Sequence, residues 1–464
     1  MKEGYEKIVE KILTNENYEF PISRNYLAYT LSTIDKIKQL KNVKKKIVDD
    51  MKIVAYVLPF KANNYVLNYL INWQNIPDDP IFRLIFPQRG MLKNEHYRKM
   101  KKAVETGDKK FIQEIAQEIR AELNPNPAGQ KDYNVPKFKG ENLSGVQYKY
   151  RETALFFPKE GQTCHAYCTF CFRWSQFVTV KEEHKFCSKR IDQFVAYLQS
   201  NPGITDVLIT GGDPMIMKSK NLEKYIMAIL NAGIPHIRTI RIGSKVLSYW
   251  PQRFIDDLDS DHILSILSEI TDRGKNLAFM AHFNHYQELQ TSYLKMAVKE
   301  LKKTGAKIMT QSPIINNINA SPDIWAKMWK MQHDLGMVPY YMFVIRDTGA
   351  KDYFSIPLVK AWEIYRDAYS QVSGLCRTVR GPSISCTPGK INVLGSVKIN
   401  GKKVLALNFI QGRNPQWVNR PFFAEYDTKA TWIDELKPAF GEKFFYQEEL
   451  EKYLKPFNEI TRPT

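Results

Sequence analysis

Apolar and polar positions alternate differently in three parts of the chain. Up to about residue 145 the apolar positions follow helical spacing, as at Val54, Val57 and Leu58 and again at Phe111, Ile115, Ile119 and Leu123. The run Asn124-Pro125-Asn126-Pro127-Ala128-Gly129 ends the second of these helices. A polar connection follows, and a boundary is expected near Gly145. From about 150 short β-rich runs alternate with helical ones. The expected strands are 154–157, 206–210, 239–242, 277–282, 307–311 and 338–344. The helices between them are expected at 188–199, 221–231, 292–303 and 323–335. Ser188 is a candidate N-cap, and Gly203, Gly233 and Gly305 are candidate stops. Six strands alternating with helices predict an α/β fold, a parallel sheet with right-handed crossovers, whose ligands bind at the carboxyl ends of the strands. Beyond about 395 the alternation fades, and 391–397 with 403–409 predict a hairpin about Asn400-Gly401.

Composition narrows the class. The chain has 464 residues, 44% of them hydrophobic, enough for a large core. Lys and Arg exceed Asp and Glu by 67 to 49, a net +18 that favours anionic partners. The densest run, Lys36 to Lys46, is that of a solvated helix face, and nothing resembles a nucleic-acid-binding module. The opening Met1-Lys2-Glu3-Gly4 leads into polar sequence rather than a secretory leader, and no apolar stretch is long enough to span a membrane. The six cysteines are not a disulfide scaffold. Three of them crowd into eight positions, which suggests metal chemistry in a reducing compartment, and a cytoplasmic protein is expected.

The crowded segment is Cys164-His165-Ala166-Tyr167-Cys168-Thr169-Phe170-Cys171, a C-x3-C-x2-C spacing directly after the first strand. Three thiolates in one short loop can hold three irons of a cubane and leave the fourth open for chemistry. A zinc site would add His165 or His184 to them. A plain electron-transfer cluster would need a fourth ligand from Cys187, Cys376 or Cys386, which otherwise read as incidental thiols. The second strand ends in Gly211-Gly212-Asp213-Pro214, glycines that permit close approach to the backbone beside a carboxylate that can accept bonds from an ammonium group.

Cys164-x3-Cys168-x-Phe170-Cys171, followed one strand later by Gly211–Pro214, resembles the signature of the radical S-adenosylmethionine (SAM) superfamily. The resemblance implies a partial (β/α)6 TIM-like barrel over 146–395, a helical region over 1–145 and a small extension over 396–464. It implies a [4Fe–4S] cluster on Cys164, Cys168 and Cys171, whose open iron chelates SAM, and one-electron cleavage of SAM to a 5′-deoxyadenosyl radical. Phe170, Gly211, Gly212 and Asp213 would belong to the cofactor site.

Further segments narrow it. Asp206–Asp213, Arg241-Ile-Gly-Ser244, Pro251-Gln-Arg253, His282-Phe-Asn-His285, Gln311-Ser312 and Pro339-Tyr-Tyr341 resemble, in order and spacing, the lysine 2,3-aminomutase family. That implies an isomerase shifting an amino group between adjacent carbons of an amino acid with pyridoxal 5′-phosphate (PLP). It implies an electron donor such as flavodoxin or ferredoxin, and assembly into a homo-oligomer. Lys390, after Thr387-Pro388-Gly389, matches the PLP lysine, although the family's glycine run is absent. Arg173 matches the arginine that holds the substrate carboxylate, and His282 and Gln311 match residues that touch SAM. The two aspartates that hold a lysine ammonium are replaced by Ser383 and Arg346, with Asp347 one residue on, so an acidic or neutral substrate side chain is expected. Two alternatives stay open: a PLP-independent radical SAM enzyme, and a basic iron–sulfur or zinc protein that binds nucleic acid.

Overall fold

The computed structural model describes residues 25–125, 133–178 and 186–460, with side chains to 455. The opening residues, the breaker residues 126–129 and His184 lie outside them. In the amino-terminal part, strands β1 (Ala28–Thr30) and β2 (Lys61–Asn63) pair antiparallel. Around them pack helices Lys45–Ala55, Pro80–Ile85, Asn94–Thr106 and Lys109–Leu123. Asp108 caps the last of these through Lys110 N at 2.9 Å. Val54, Val57 and Leu58 are buried as the helical spacing predicts, whereas Phe111 is exposed. A small ribbon of β3 (Lys137–Phe138) and β4 (Glu141–Asn142) follows.

The rest is built on one sheet of eleven strands in sequence order. They are β5 (Val146–Tyr150), β6 (Thr153–Phe156), β7 (Asp206–Ile209), β8 (Thr239–Ser244), β9 (Asn276–His282), β10 (Lys307–Ile314), β11 (Val338–Val344), β12 (Arg380–Ser385), β13 (Gly389–Ile399), β14 (Lys402–Gly412) and β15 (Pro421–Glu425). Strands β6 to β12 run parallel, and the flanking strands are antiparallel. Each of β6 to β11 is followed by a crossover helix: Ile191–Gln199, Ser219–Asn231, Ser260–Asp272, Ser292–Lys303, Pro322–Asp334 and Leu358–Ser370. Six strand–helix units, as expected, therefore form the core.

Along β8 the alternate residues Ile240 and Ile242 are buried against the helices, which turns Arg241 and Gly243 to the opposite, concave face. The sheet curls until its β5 edge reaches the turn between β12 and β13. On β5, Lys149 Nζ donates to Cys386 O, and the Tyr150 ring lies 5.7 Å from Lys390 Nζ on β13. Arg413, just beyond β14, donates to Asn134 Oδ1 at 2.7 Å. The concave face thus becomes the lumen of an incomplete barrel.

Three details differ from the sequence expectations. The first crossover helix begins at Ile191, because the Ser188 backbone bonds to the end of β6 instead (N to Phe157 O, 2.9 Å); its hydroxyl still accepts from Arg190 N at 3.0 Å. A seventh parallel strand, β12, goes unread in the sequence because Gly381 and Pro382 interrupt its pattern. The boundary placed at 395/396 falls inside β13, which continues the core sheet and pairs with β14 through a tight turn at Asn400 (φ 48°) and Gly401 (φ 76°).

Candidate active site

The cysteine loop leaves the carboxyl end of β6 and is held from below by the amino-terminal region. Tyr167 N donates to Lys61 O at 2.9 Å, and Lys61 Nζ donates to Cys164 O at 2.6 Å. The fully buried Asn63 donates to His165 O (3.2 Å) and Tyr249 O (2.9 Å), and Tyr26 Oη donates to His165 O (2.7 Å). Thr169 bonds to Arg83 O and Leu84 O of the helix that Asp79 caps. These contacts give the amino-terminal residues a task that no local pattern in them discloses.

Cys164, Cys168 and Cys171 are half-buried free thiols. Cys168 Sγ lies 3.4 Å from Tyr249 Oη. Burial raises all three above the ordinary thiol range, Cys168 to about 12 against the pull of the Lys245 ammonium. Iron reverses that logic, because a coordinated thiol is held as the thiolate. Among the described residues no three His, Cys, Asp or Glu side chains converge on one ion-sized point. A cubane takes each thiolate on a separate iron, so its ligands stand farther apart than those of a single ion. Three free thiols on one anchored loop fit such a cluster. His165, a candidate zinc ligand, is buried, held neutral by that burial, and bound through its carbonyl.

The element after β7 fastens this loop. A methyl group on Gly212 would lie 2.5 Å from Thr163 O, and one on Gly211 2.6 Å from Gln162 Nε2. The close approach that the glycines permit is therefore to the cysteine loop itself. Gly212 N donates to Gly161 O and Asp213 N to Thr163 O. The Asp213 carboxylate, expected to receive an ammonium group, accepts from Ser244 Oγ (2.6 Å), Met215 N (3.0 Å) and Lys245 N (2.9 Å). Burial lifts it to about 6 in spite of these donors. Its evident work is to tie β7 to β8 beside Cys164.

Phe170 faces His282, with ring centroids 5.8 Å apart. Burial and the Lys245 ammonium keep His282 well below its usual range, so it is neutral. Lys245 Nζ donates to Glu288 Oε1 (2.6 Å), Asn284 Oδ1 (2.9 Å) and His282 O (3.2 Å), a buried network that sequence reasoning missed. The Arg241-Ile-Gly-Ser244 segment, which ends one residue before Lys245, and the His282-Phe-Asn-His285 segment, which supplies two of its acceptors, were the signals pointing to it. Arg173 is buried, donates to Gln162 Oε1 (2.9 Å) and Gln176 Oε1 (2.7 Å), and stacks 4.5 Å over Phe157. Burial lowers it to about 10.

The lumen holds a cavity of about 460 Å³. Thr210, Arg241, Gln311, Tyr341 and Lys390 line its wall, and Arg151, Glu152 and Arg380 line its amino-terminal end. Arg241 is paired with Asp206 at 2.7 Å. Lys390 Nζ lies 4.6 Å over the Tyr341 ring. Burial first, then the charges of Arg241 and Arg380, depress its ammonium to about 7. Of the candidate site residues, Lys390 and Gln311 line this cavity, joined by Arg241 and Tyr341 of the matching segments, whereas Arg173, Phe170, His282, Gly211–Asp213 and the three cysteines are not in its wall. An amine of low basicity among cations is suited to condense with an aldehyde bearing a phosphate.

No family model matches the chain. A protein of Aquifex aeolicus named putative L-lysine 2,3-aminomutase is 28% identical over 412 residues, 89% of this chain and 96% of that protein. Proteins named L-lysine 2,3-aminomutase from Acetoanaerobium sticklandii and Escherichia coli are 28% and 26% identical, over 58% and 50% of this chain and 61% and 63% of their own lengths. Among solved structures, Streptococcus suis SuiB bound to S-adenosylmethionine aligns at a TM-score of 0.32 and 12% identity, over 60% of this chain and 59% of that one.

Proposed function

We propose that this chain, a radical SAM enzyme related to the proteins named lysine 2,3-aminomutase, moves an amino group between adjacent carbons of an amino acid other than lysine, with PLP on Lys390. The observation that carries the PLP assignment is Lys390 itself, an amine with its basicity lowered to about 7 in a lumen lined by Arg241 and Arg380.

When bound, the cluster supplies the electron that splits SAM, and PLP supplies the π-system over which the migrating amino group passes. The chain's own residues bind, orient and shield. Cys164, Cys168 and Cys171 would hold three irons, and the amino-terminal clamp and Gly211–Asp213 keep their loop in register. Phe170, His282 and Gln311 would border SAM above the lumen. Lys390 offers an uncharged amine near neutral pH, and the guanidinium groups of Arg241 and Arg380 favour an anionic cofactor beside it. Arg173 would take the α-carboxylate of the substrate. An acidic one-electron donor of the flavodoxin or ferredoxin kind suits a chain of net charge +18.

The test is anaerobic reconstitution with iron and sulfide, reduction, and assay of 5′-deoxyadenosine with and without PLP and candidate amino acids. Cleavage of SAM that Cys168→Ala abolishes is expected. Stimulation by PLP and an amino acid, lost in Lys390→Ala, is expected as well. Cleavage indifferent to PLP and to Lys390 would leave a PLP-independent radical SAM enzyme. A fully loaded cluster without any cleavage, together with salt-sensitive RNA binding, would favour the nucleic-acid-binding alternative.

A further inference from the structure

The three cysteines are not held alike. The backbone N–H of Arg173 bonds to the Cys171 sulfur, whereas a side chain reaches Cys168. Tyr249 Oη lies 3.4 Å from Cys168 Sγ, and among the described residues no other side chain bonds to a sulfur of this loop. Two further tyrosines stand beside the loop, and both address oxygens instead. Tyr26 Oη donates to His165 O at 2.7 Å, and Tyr167 Oη pairs with Thr163 Oγ1 at 2.9 Å.

The Tyr249 ring is set in place by its surroundings. It ends the short helix Val246–Tyr249, is buried, and offers its carbonyl to the Asn63 amide at 2.9 Å. Lys245 Nζ lies 4.4 Å from the ring centroid. That ammonium is fixed in turn by Glu288 Oε1 at 2.6 Å and Asn284 Oδ1 at 2.9 Å. A cation against the ring draws electron density from it and makes the hydroxyl a stronger donor.

The direction of the bond to sulfur follows from the chemistry of the pair. A cysteine bound to iron is a thiolate without a proton, so its sulfur can only accept. Burial and the negative charges of Cys168 and Glu288 keep the phenol protonated, so its hydroxyl donates. Hydrogen bonds to the sulfurs are among the quantities that set the potential of an iron–sulfur cluster. Adding one electron makes the cluster more negative, and a donor aimed at sulfur stabilises that form more than the oxidised one.

We propose that Tyr249 is a positioning residue that acts through Cys168: its hydroxyl, polarised by Lys245, donates to the Cys168 thiolate and raises the reduction potential of the cluster. The electron comes from the acidic one-electron donor described above, for which a less negative cluster is easier to reduce. This rests on Cys164, Cys168 and Cys171 holding that cluster.

The experiment is a potential titration of the anaerobically reconstituted protein without SAM, followed by electron paramagnetic resonance of the reduced cluster. Tyr249→Phe removes the hydroxyl and keeps the ring beside Lys245. Its midpoint is expected to be more negative than that of the wild type at equal iron per chain. Electron–nuclear double resonance of the wild type is expected to show a proton that exchanges in heavy water and is missing in Tyr249→Phe. An unchanged or more positive midpoint in a fully loaded variant overturns the proposal, as does an identical set of exchangeable protons. Should Tyr249→Phe fail to fold or to load, 3-fluorotyrosine placed at position 249 keeps the hydroxyl and makes it a stronger donor. A midpoint more positive than that of the wild type is expected there, and an unchanged one overturns the proposal. A wild-type protein that takes up no cluster overturns the assignment of the three cysteines instead, and the role of Tyr249 falls with it.

Discussion

A lysine amine in water is protonated up to about 10.4, so at neutral pH only a small fraction is free to add to aldehydes. Lys390 escapes that limit through burial and the charges of Arg241 and Arg380, which bring it to about 7. The folded value lies below the unfolded one, so the protonated form is the one the fold disfavours. Below pH 7 the amine is charged in both states and the fold bears the full cost; that cost fades as pH rises from about 7 towards the unfolded value. The chemical consequence follows the same sign. Loading of PLP, followed by its visible band, is expected to quicken as pH rises through about 7 and then to level off. In Arg380→Met, which removes one of the two depressing charges, the rise is expected at higher pH. Lys149 sits in a comparable state, lowered to about 7 by burial, but its ammonium is spent on Cys386 O. Lys149→Ala is therefore expected to leave the PLP band in place where Lys390→Ala removes it. Nothing in the sequence near Lys149 marks it, because its partners lie more than two hundred residues away.

Two elements decide whether the cysteine loop is held. One is the turn after β7. Adding a methyl at Gly212 meets only backbone, Thr163 O at 2.5 Å and the carbonyl carbons of Gln162 and Thr163 at 2.7 Å. Gly212→Ala is expected to push the loop off its register, at a cost of about 1–3 kcal/mol, and to lower iron per chain after reconstitution. Gly211→Ala meets the end of the Gln162 side chain at 2.6 Å, which can move, but also the backbone Gly161 O at 2.8 Å, and is expected to act in the same direction on both counts. The other element is β2. Asn63→Ala strips the carbonyls of His165 and Tyr249 of a buried donor and leaves Val66 N without its acceptor. A loss of about 2–4 kcal/mol is expected by thermal or denaturant unfolding, with weaker cluster retention. The glycine pair is visible in the sequence as a motif. Asn63 is not, since a single Asn in a three-residue strand carries no pattern.

Across the whole molecule, the carboxyl-terminal residues belong to the same sheet as the site. Strand β13 carries Lys390, and its outward residues Ile391 and Val393 pack in a second apolar cluster with Leu405, Leu407, Phe409, Trp417 and Phe422. Trp417 Nε1 donates to Glu449 Oε2 at 2.8 Å, which ties the last helix, Gln447–Ile460, onto that cluster. Ending the chain after residue 395 would cut β13, open the edge of the sheet and uncover the cluster. Such a chain is expected to aggregate and to bind no PLP, measured by solubility and by the visible band. Among the described residues no helix is long and apolar enough to cross a membrane.

The sequence by itself determined the periodic elements and the local chemistry. Six strand–helix units, the Asn400-Gly401 hairpin, three cysteines in one loop and the glycine turn after β7 each depend on neighbours a few residues apart. Spacing within the chain therefore reveals them. Seven parallel strands instead of six, the amino-terminal clamp on the cysteine loop, the Lys245–Glu288 network and the approach of Tyr150 to Lys390 across the lumen were decided by the tertiary structure. Each depends on how far the sheet curls and on which edge it brings against which. Lys390 acquires its lowered basicity from burial and from Arg241 and Arg380, and only the folded sheet sets those groups together.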